Sequence, residues 1–409
     1  MENRTQLTNT EQTTLVAALE AALRVAAKER SADNGLFFQI LALRDNPETA
    51  IKELRELLAN VESMPALEFF NNARQCGLGY RNEVNLRFLV RWLISRAQQV
   101  STNQAIADLM RYLVSETIEV SSILAVRGFN VESNIRLGEY ELVSWKNVPI
   151  SDTKWRIGAR GLSGNTDPTA AIVRRHRILP IHVFPWSQQS LEPLQSLEPA
   201  LDILRCITAV AGAGFQLLHY WFEPEEGAPW AVSLSMFGVD STTMSWPIDL
   251  GEAAASQLCS AVTHMQALDE NSRMRLRVPL DRLNRSYLAG LNSVNRAIDL
   301  GIAIESLYAP TKLSEGIAFA VRSRAARFLG GSLEEREATV KSVKEVYELR
   351  SRAVHTGRFD ADGTAKWRDN NLVCTTLEKG QNIVGKSLVK VIHEGEPDWT
   401  SLDISNLNE

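Results

Sequence analysis

The sequence contains little that would support a disulfide framework, a zinc knuckle or a membrane span. It has four cysteines in 409 residues, Cys76, Cys206, Cys259 and Cys374, and they are far apart with no C-x-x-C pair. Such spacing argues against both cysteine-based folds and favours a reducing, intracellular setting. No stretch approaches the roughly 20 apolar residues that a membrane span needs, and residues 1–12 do not resemble a signal peptide. We therefore expect a cytoplasmic protein with no membrane partner.

The chain also lacks a strong charge of either sign. It has 44 lysines and arginines against 49 aspartates and glutamates, a formal net charge of -5. This balance excludes a uniformly basic chain that coats nucleic acid, but it is compatible with local basic patches. No group of Asp, Glu and His has metal-ligand spacing, and the glycine-rich stretches 158–164 and 211–214 lack the strand and helix context of a phosphate-binding loop. We expect no metal and no cofactor.

Hydrophobic periodicity predicts an α+β multidomain chain. Residues 1–126 show helical spacing and predict an N-terminal helical region. Residues 127–270 alternate short apolar runs with Pro, Gly and Asp clusters, which predicts an α+β region with an antiparallel sheet and a sensing, regulatory or substrate-binding role. After a linker at 269–278, residues 279–395 predict an all-helical bundle, and residues 396–409 form a tail.

Short apolar runs predict the strands of the middle region, and one helix is expected between them at 200–210. The runs are 140–145, 178–184, 215–222 and 230–237. Six of the nine tryptophans lie in this region. They suit either a packed sheet core or a surface that stacks bases or sugars, and the burial habits of large aromatic side chains favour the core.

The densest basic run of the chain is Arg174-Arg175-His176-Arg177, directly before an apolar run. It has two interpretations: a solvated start of the following strand, or a contact to a phosphate backbone.

Four helices are predicted in the C-terminal block, at about 281–308, 313–329, 332–356 and 367–393. Ser332 and Glu335 have the spacing of a capping box at the start of the third helix. Gly357 provides its stop.

Two charged residues of this block fall on apolar helix faces. At about 100° per residue, Arg350 lies about 280° from Val340, inside an apolar stripe, and Arg352 falls on the polar face. Glu305 lies about 20° from Val294, inside the stripe of the first helix. Because an unpaired buried charge costs several kcal/mol, we predict that Glu305 and Arg350 pair inside the bundle. The pair either fixes the helix register or belongs to a site.

His355 lies at the end of the third helix, before the Gly357 turn. A histidine in this place often only complements the helix dipole. Its other interpretation is general acid-base chemistry, which needs a neighbouring cation for a developing anion, and Arg350 fits that role.

Three sequence blocks together resemble the HEPN domain in its ApeA-like form. They are NRAIDLGIAIESLY from Asn295, FAVRSRAARFLG from Phe319, and VYELRSRAVHTG from Val346. The R-x4-H motif of Arg350 and His355 is common by itself, but the three blocks in this order are fairly specific, and the resemblance covers roughly residues 281–393. The chain departs from many catalytic HEPN domains at Ser351, where Asn, Asp or His is frequent, and in His-Thr-Gly instead of His-Gly-Gly.

The resemblance implies a helical bundle that forms a homodimer and brings two R-x4-H motifs into one cleft. It also implies a metal-independent endoribonuclease in which His355 acts as acid or base and Arg350 stabilises the phosphorus-centred transition state. The products would be a 2′,3′-cyclic phosphate and a 5′-OH. Supporting positions are assigned to Glu305, Ser351 and Arg296, and candidate RNA contacts to Arg352, Arg174, Arg175 and Arg177.

The expected partners are RNA, a second copy of the chain, and a trigger ligand or phage component, because ApeA-like domains recur in prokaryotic antiviral and abortive-infection defence. The alternative is a non-catalytic RNA- or nucleotide-binding HEPN module in a regulatory or defence complex. A third hypothesis, a carbohydrate- or peptide-handling sheet domain, rests only on the tryptophans of the middle region.

Overall fold

The computed structural model describes residues 6–29, 51–76, 81–84, 86–149, 154, 157, 167–178, 182–183, 197–224, 227–229, 235–236, 247–289, 293–309, 316–360 and 365–404. The chain divides into two compact units. The first unit comprises residues 1–123, 174–196 and 220–235, and the second comprises 124–173, 197–219 and 236–409. The fold is mixed α+β, with an antiparallel sheet and a helical C-terminal part.

Helices of the first unit bury apolar faces with i, i+3, i+4 spacing. They are α1 (Asn9–Glu29), α2 (Lys52–Glu62), α3 (Leu86–Gln99) and α4 (Thr102–Val114), with a 3-10 helix at Pro65–Asn72. In α2 the buried positions are Leu54, Leu57, Leu58 and Val61. The α4 helix starts at Ser101, whose side chain accepts a hydrogen bond from the Gln104 amide at 3.1 Å.

Residues 1–126 were predicted to be helical, but three strands start within this range, so the prediction was wrong for those segments. The strands β1 (Ala73–Cys76) and β2 (Arg81–Val84) pair antiparallel, and β1 also pairs with β8 (His182–Val183). The strand β3 (Ile118–Arg127) starts inside the same region. The sequences of β1 and β2, ARQC and RNEV, have no apolar alternation, so hydrophobic periodicity does not predict these strands.

Six strands of the described residues form one sheet: β3, β5 (Ile135–Leu137), β6 (Tyr140–Ser144), β7 (Ala170–Ile178), β9 (Gln216–Pro224) and β10 (Ser235–Met236). Their order in the sheet is β10-β9-β3-β7-β6-β5. The pair β5 and β6 is antiparallel, with Ile135 opposite Leu142. A separate pair, β4 (Phe129–Val131) with β11 (Ile248–Leu250), is parallel.

The predicted strands at 140–145 and 215–222 are confirmed, and the predicted helix at 200–210 is α5 (Glu198–Ala211). Of the run at 178–184, Ile178 ends β7 and His182–Val183 form β8, and residues 179–181 and 184 lie outside the described residues. Of the six tryptophans expected in the core, Trp221 is fully buried and Trp145 is only half-buried, whereas Trp155, Trp186, Trp230 and Trp246 lie outside the described residues.

The helices of the second unit after α5 are α6 (Glu252–Ala267), α7 (Glu270–Leu288), α8 (Val294–Tyr308), α9 (Ile317–Leu329), α10 (Leu333–Thr356), α11 (Asn370–Glu394) and α12 (Trp399–Ile404). Their buried positions include Leu280, Leu300, Val346 and Leu377. The helices α5 and α6, which the sequence assigned to the middle region, pack against α11.

Two expectations about this block were wrong. Residues 269–278 are not a linker, because α7 starts at the Asp269 cap and continues through Pro279. Asp269 accepts a hydrogen bond from the Ser272 amide at 3.0 Å, which satisfies a donor at the helix start. The helix predicted at 281–308 is divided into α7 and α8, and α8 has its own cap at Ser293.

No helix in the described ranges is long and apolar enough to cross a membrane.

Candidate functional site

The long helix α10 carries both residues of the R-x4-H motif. It begins with the predicted capping box, in which Ser332 and Glu335 bond each other's backbone amides. It ends at Gly357, which has a left-handed backbone (φ 68°) and donates its amide to the Ala353 carbonyl at 3.1 Å. Both ends of the helix are therefore hydrogen bonded, and the motif lies in its last two turns.

Arg350 pairs with Glu305 of α8, as the helical wheel predicted. Arg350 Nη2 donates to Glu305 Oε2 at 3.3 Å, and the two side chains are 33% and 29% exposed. The pair is therefore neither deeply buried nor fully solvated. Arg350 Nε is buried and has no acceptor among the described residues.

Gly301 gives Arg350 its path across α8. A Cβ atom added to Gly301 would lie 2.5 Å from Arg350 Cγ, closer than real Cβ contacts allow. The absence of a side chain on Gly301 therefore lets the stem of Arg350 lie against the α8 backbone and reach Glu305 one turn later. Sequence reasoning did not select Gly301, although an isolated glycine inside a helix pattern is a signal for close approach.

Tyr347 lies one turn before Arg350 on the same helix, and no sequence signal selected it as a candidate site residue. Burial raises the pKa of Tyr347, and the nearby Glu305 carboxylate raises it further because it disfavours a second negative charge. The phenol therefore stays protonated beside the carboxylate. The Glu305 carboxylate therefore pairs with a cation and lies near a neutral hydroxyl.

His355 is exposed in the last turn of α10, and Ser351, one turn before it, is exposed as well. His355 follows Arg350 by five positions, which corresponds to about 140° around the helix and about 7.5 Å along it. The two motif side chains of one chain therefore leave α10 in different directions. A single α10 does not direct both groups at one atom.

Arg296, the other supporting residue, is buried at the N-terminal end of α8. It donates to Gln381 Oε1 of α11 at 2.6 Å, and Gln381 donates in turn to Ser286 Oγ of α7 at 3.1 Å. Burial lowers the pKa of Arg296, because the low-polarity surroundings penalise its charge. Arg296 holds three helices together, and it is too enclosed to contact a polymer.

The predicted RNA contacts lie in different places. Arg352 is partly buried on α10 and donates to the Phe359 carbonyl at 3.3 Å. The three other arginines belong to the first unit and lie inside β7, not at the start of a strand. Arg175 is exposed, and Arg177 pairs with Glu119 at 3.3 Å. The carbonyl of Arg174 accepts a hydrogen bond from Ser122 at 3.4 Å.

Within the described part of the chain, no group of three or more His, Cys, Asp or Glu side chains could hold a metal ion. Comparison with protein families, with characterised proteins and with solved structures finds no match to this chain.

Proposed function

We propose that the chain is a metal-independent endoribonuclease of the HEPN type, with Arg350 and His355 as its catalytic residues. One observation carries the proposal: Arg350 is held in place by Gly301 and Glu305 while its side chain stays 33% exposed, and His355 is exposed at the end of the same helix. A guanidinium donor and an imidazole are the groups that transesterification of RNA needs.

The chemistry uses the nucleophile that RNA carries itself. His355 would accept the proton of the 2′-OH or donate one to the leaving 5′-oxygen, and Arg350 would stabilise the additional negative charge on the phosphorus-centred transition state. The oxygen-phosphorus bond to the 2′-oxygen forms as the bond to the 5′-oxygen breaks. The products are a 2′,3′-cyclic phosphate and a 5′-OH.

A homodimer through the helical bundle would bring the two motifs together. Because Arg350 and His355 leave α10 about 140° apart, an arginine of one copy and a histidine of the other are better placed to act on one phosphate. A dimer cleft would also explain why Glu305 and Arg350 lie on an otherwise apolar stripe and stay partly exposed.

In this proposal the protein acts in the cytoplasm as an effector of prokaryotic antiviral or abortive-infection defence. The region before the bundle senses a trigger ligand or a phage component, restrains the nuclease or binds substrate. The basic residues Arg175 and Arg177 on β7 are consistent with a second RNA contact in that region.

The test is RNA cleavage by the purified full chain in EDTA. We expect cleavage to give cyclic phosphate ends, and we expect His355→Ala to abolish it while size-exclusion chromatography shows an unchanged dimer. His264→Ala, which removes another exposed helical histidine, is the matched control and should cleave normally. Equal cleavage by the His355→Ala chain would refute the proposal, and equal RNA binding without any cleavage would favour the non-catalytic alternative.

A further inference from the structure

A short tail segment covers a cationic and aromatic surface of the second unit. The segment is α12 (Trp399–Ile404), and six residues are too few for a helix that is stable by itself in water. Contacts with α8 and α9 therefore hold it in place. We call the surface under it the tail groove, formed by Tyr308, Arg324, Arg327 and Phe328.

The indole of Trp399 lies among the aromatic rings of the tail groove. Its centroid is 5.7 Å from that of Tyr308 and 5.9 Å from that of Phe328, both at steep angles between the ring planes. The guanidinium carbon of Arg324 lies 5.0 Å from the Trp399 ring centroid. A planar ring is therefore held by two aromatic side chains and one cation.

The same guanidinium binds the carboxylate of Asp403 with two of its nitrogens. Arg324 Nη2 donates to Asp403 Oδ2 at 2.7 Å, and Nε donates to Oδ1 at 3.1 Å. Forked contacts of this kind suit a carboxylate or a phosphate equally well. Arg324 thus recognises a planar ring and an anion side by side.

Arg327 adds donors next to this anion. Its Nη1 donates to the carbonyls of Leu402 and Asp403 at 2.9 and 2.6 Å. Arg324 and Arg327 together therefore direct the donors of two guanidinium groups at one short acidic segment.

The tail and the bundle that it covers have opposite net charges. Residues 396–404 contain three carboxylates, Glu396, Asp398 and Asp403, and no lysine or arginine. The bundle from 281 to 379 has 16 lysines and arginines against 13 acidic residues, an excess of three positive charges. An acidic segment with one large aromatic ring presents the same features as a nucleotide: a planar ring and a negative charge.

We propose that the tail groove is a binding site for single-stranded RNA, with a base in the place of Trp399 and a phosphate in the place of Asp403, and that the tail occupies it in competition with RNA. This inference rests on the proposed function, because it names where the RNA of that nuclease lies. The position fits: Tyr308 follows Glu305 by three residues on α8, so the tail groove begins about one helical turn, about 5 Å, from the partner of Arg350.

The test measures RNA binding by fluorescence anisotropy in a His355→Ala chain, so that cleavage plays no part. The double variant Trp399→Ala, Asp403→Asn releases the tail, and we expect it to bind a labelled single-stranded oligoribonucleotide on the order of tenfold more tightly. The matched control is Glu396→Gln. It removes one tail charge that pairs with Arg275 of α7 at 2.9 Å, outside the tail groove, and should change the affinity little.

A further substitution tests whether RNA binds in the tail groove. Arg327→Ala added to the released chain should remove most of the gain in affinity, with an unchanged circular dichroism spectrum as the folding control. The proposal is overturned if release leaves RNA affinity unchanged, or if Arg327→Ala has no effect on the released chain. It is also overturned if a peptide of residues 396–409 binds the released chain and RNA does not displace it, since the groove is then a peptide site.

The same competition can be measured with the natural tail. In the His355→Ala chain, added RNA should accelerate cleavage by chymotrypsin after Trp399, detected by mass spectrometry, because RNA would displace that side chain. An unchanged cleavage rate at saturating RNA contradicts the proposal. RNA binding and tail release without cleavage by the His355-containing chain would refute the nuclease and leave the tail groove intact, so the two failures are distinguishable.

Discussion

Gly301 and Arg350 lie so close that the two helices α8 and α10 touch through the stem of the arginine. A Cβ atom on Gly301 would be 2.5 Å from Arg350 Cγ and 3.2 Å from its Cδ. Because Gly301 on α8 has no side chain, the stem of Arg350 on α10 can lie against α8, and its guanidinium reaches Glu305. Glycine is unfavourable inside a helix by about 1 kcal/mol, but at this position only glycine leaves room for the arginine stem.

Gly301→Ala should displace Arg350 and reduce the rate of RNA cleavage, while the chain stays folded. Overpacking at this contact should lower the free energy of unfolding by about 1–3 kcal/mol, measured by urea denaturation. The control is Gly251→Ala, where a new Cβ atom meets nothing within 4 Å. Normal cleavage by a folded Gly301→Ala chain would show that the position of Arg350 does not matter.

Glu305→Gln should show that Glu305 positions Arg350 for cleavage and contributes little to the stability of the fold. Because both partners of the ion pair are about one third exposed, its loss should change the free energy of unfolding by only about 0–1 kcal/mol. The pKa of Tyr347 should fall, because the carboxylate that helps to raise it is gone. An ultraviolet titration of the phenols measures this shift, and cleavage should fall in parallel.

The control for that substitution is Glu345→Gln, which removes the partner of Lys366 on the same unit. It should affect neither the titration of Tyr347 nor RNA cleavage. A Tyr347 titration that is unchanged in Glu305→Gln would contradict the arrangement.

Stability should fall steeply in alkali. Burial raises the pKa of Cys206 and of Tyr287 to about 12 each, and it also raises the pKa of Tyr308 and Tyr347. Between about pH 9 and pH 12 the folded chain therefore holds protons that the unfolded chain has lost. The free energy of unfolding then decreases as pH rises, by about 1.4 kcal/mol per pH unit for each such proton.

Urea denaturation at pH 8, 9.5 and 10.5 measures this loss. Cys206→Ala and Tyr287→Phe should each make the dependence shallower, because each removes one retained proton. A flat profile above pH 9 would show that these groups ionise as easily in the folded chain as in the unfolded one.

The first unit should depend strongly on Asp108. Its carboxylate is 1% exposed and accepts hydrogen bonds from Arg96 at 2.8 Å, from Arg111 at 3.0 Å and from Gln104 at 2.9 Å. Asp108→Ala should cost about 3–5 kcal/mol of stability, because it leaves the largely buried Arg96 cation without this carboxylate.

A suitable comparison is Glu119→Gln in the same unit. Its partner Arg177 is 77% exposed, so the loss should be about 0–1 kcal/mol. Equal costs for Asp108→Ala and Glu119→Gln would refute the idea that burial decides the worth of these two ion pairs.

Local signals predicted much of the C-terminal block. The Ser332 and Glu335 capping box, the stop at Gly357 and the pairing of Glu305 with Arg350 are all present. Capping depends on residues three positions apart, and helical periodicity places side chains without knowledge of the remaining fold.

The wrong predictions in this block have a common physical cause. The α7 helix contains Pro279 and little apolar periodicity, so its sequence resembles a linker, but Arg277 pairs with Asp202 of α5 at 3.0 Å and Arg282 with Asp299 of α8 at 2.8 Å. Such contacts join residues that are far apart in the sequence. Tertiary contacts outweigh weak local propensity in these segments.

The sequence by itself determined α9, α10 and α11, both caps of α10 and the pairing of Glu305 with Arg350, because these follow from spacing along one helix. Only the tertiary structure decided that Gly301 makes room for Arg350, that Arg296 is enclosed by other helices, and that Asp403 meets Arg324 across 79 residues. Close approach and burial depend on which surfaces meet, and no local pattern encodes that.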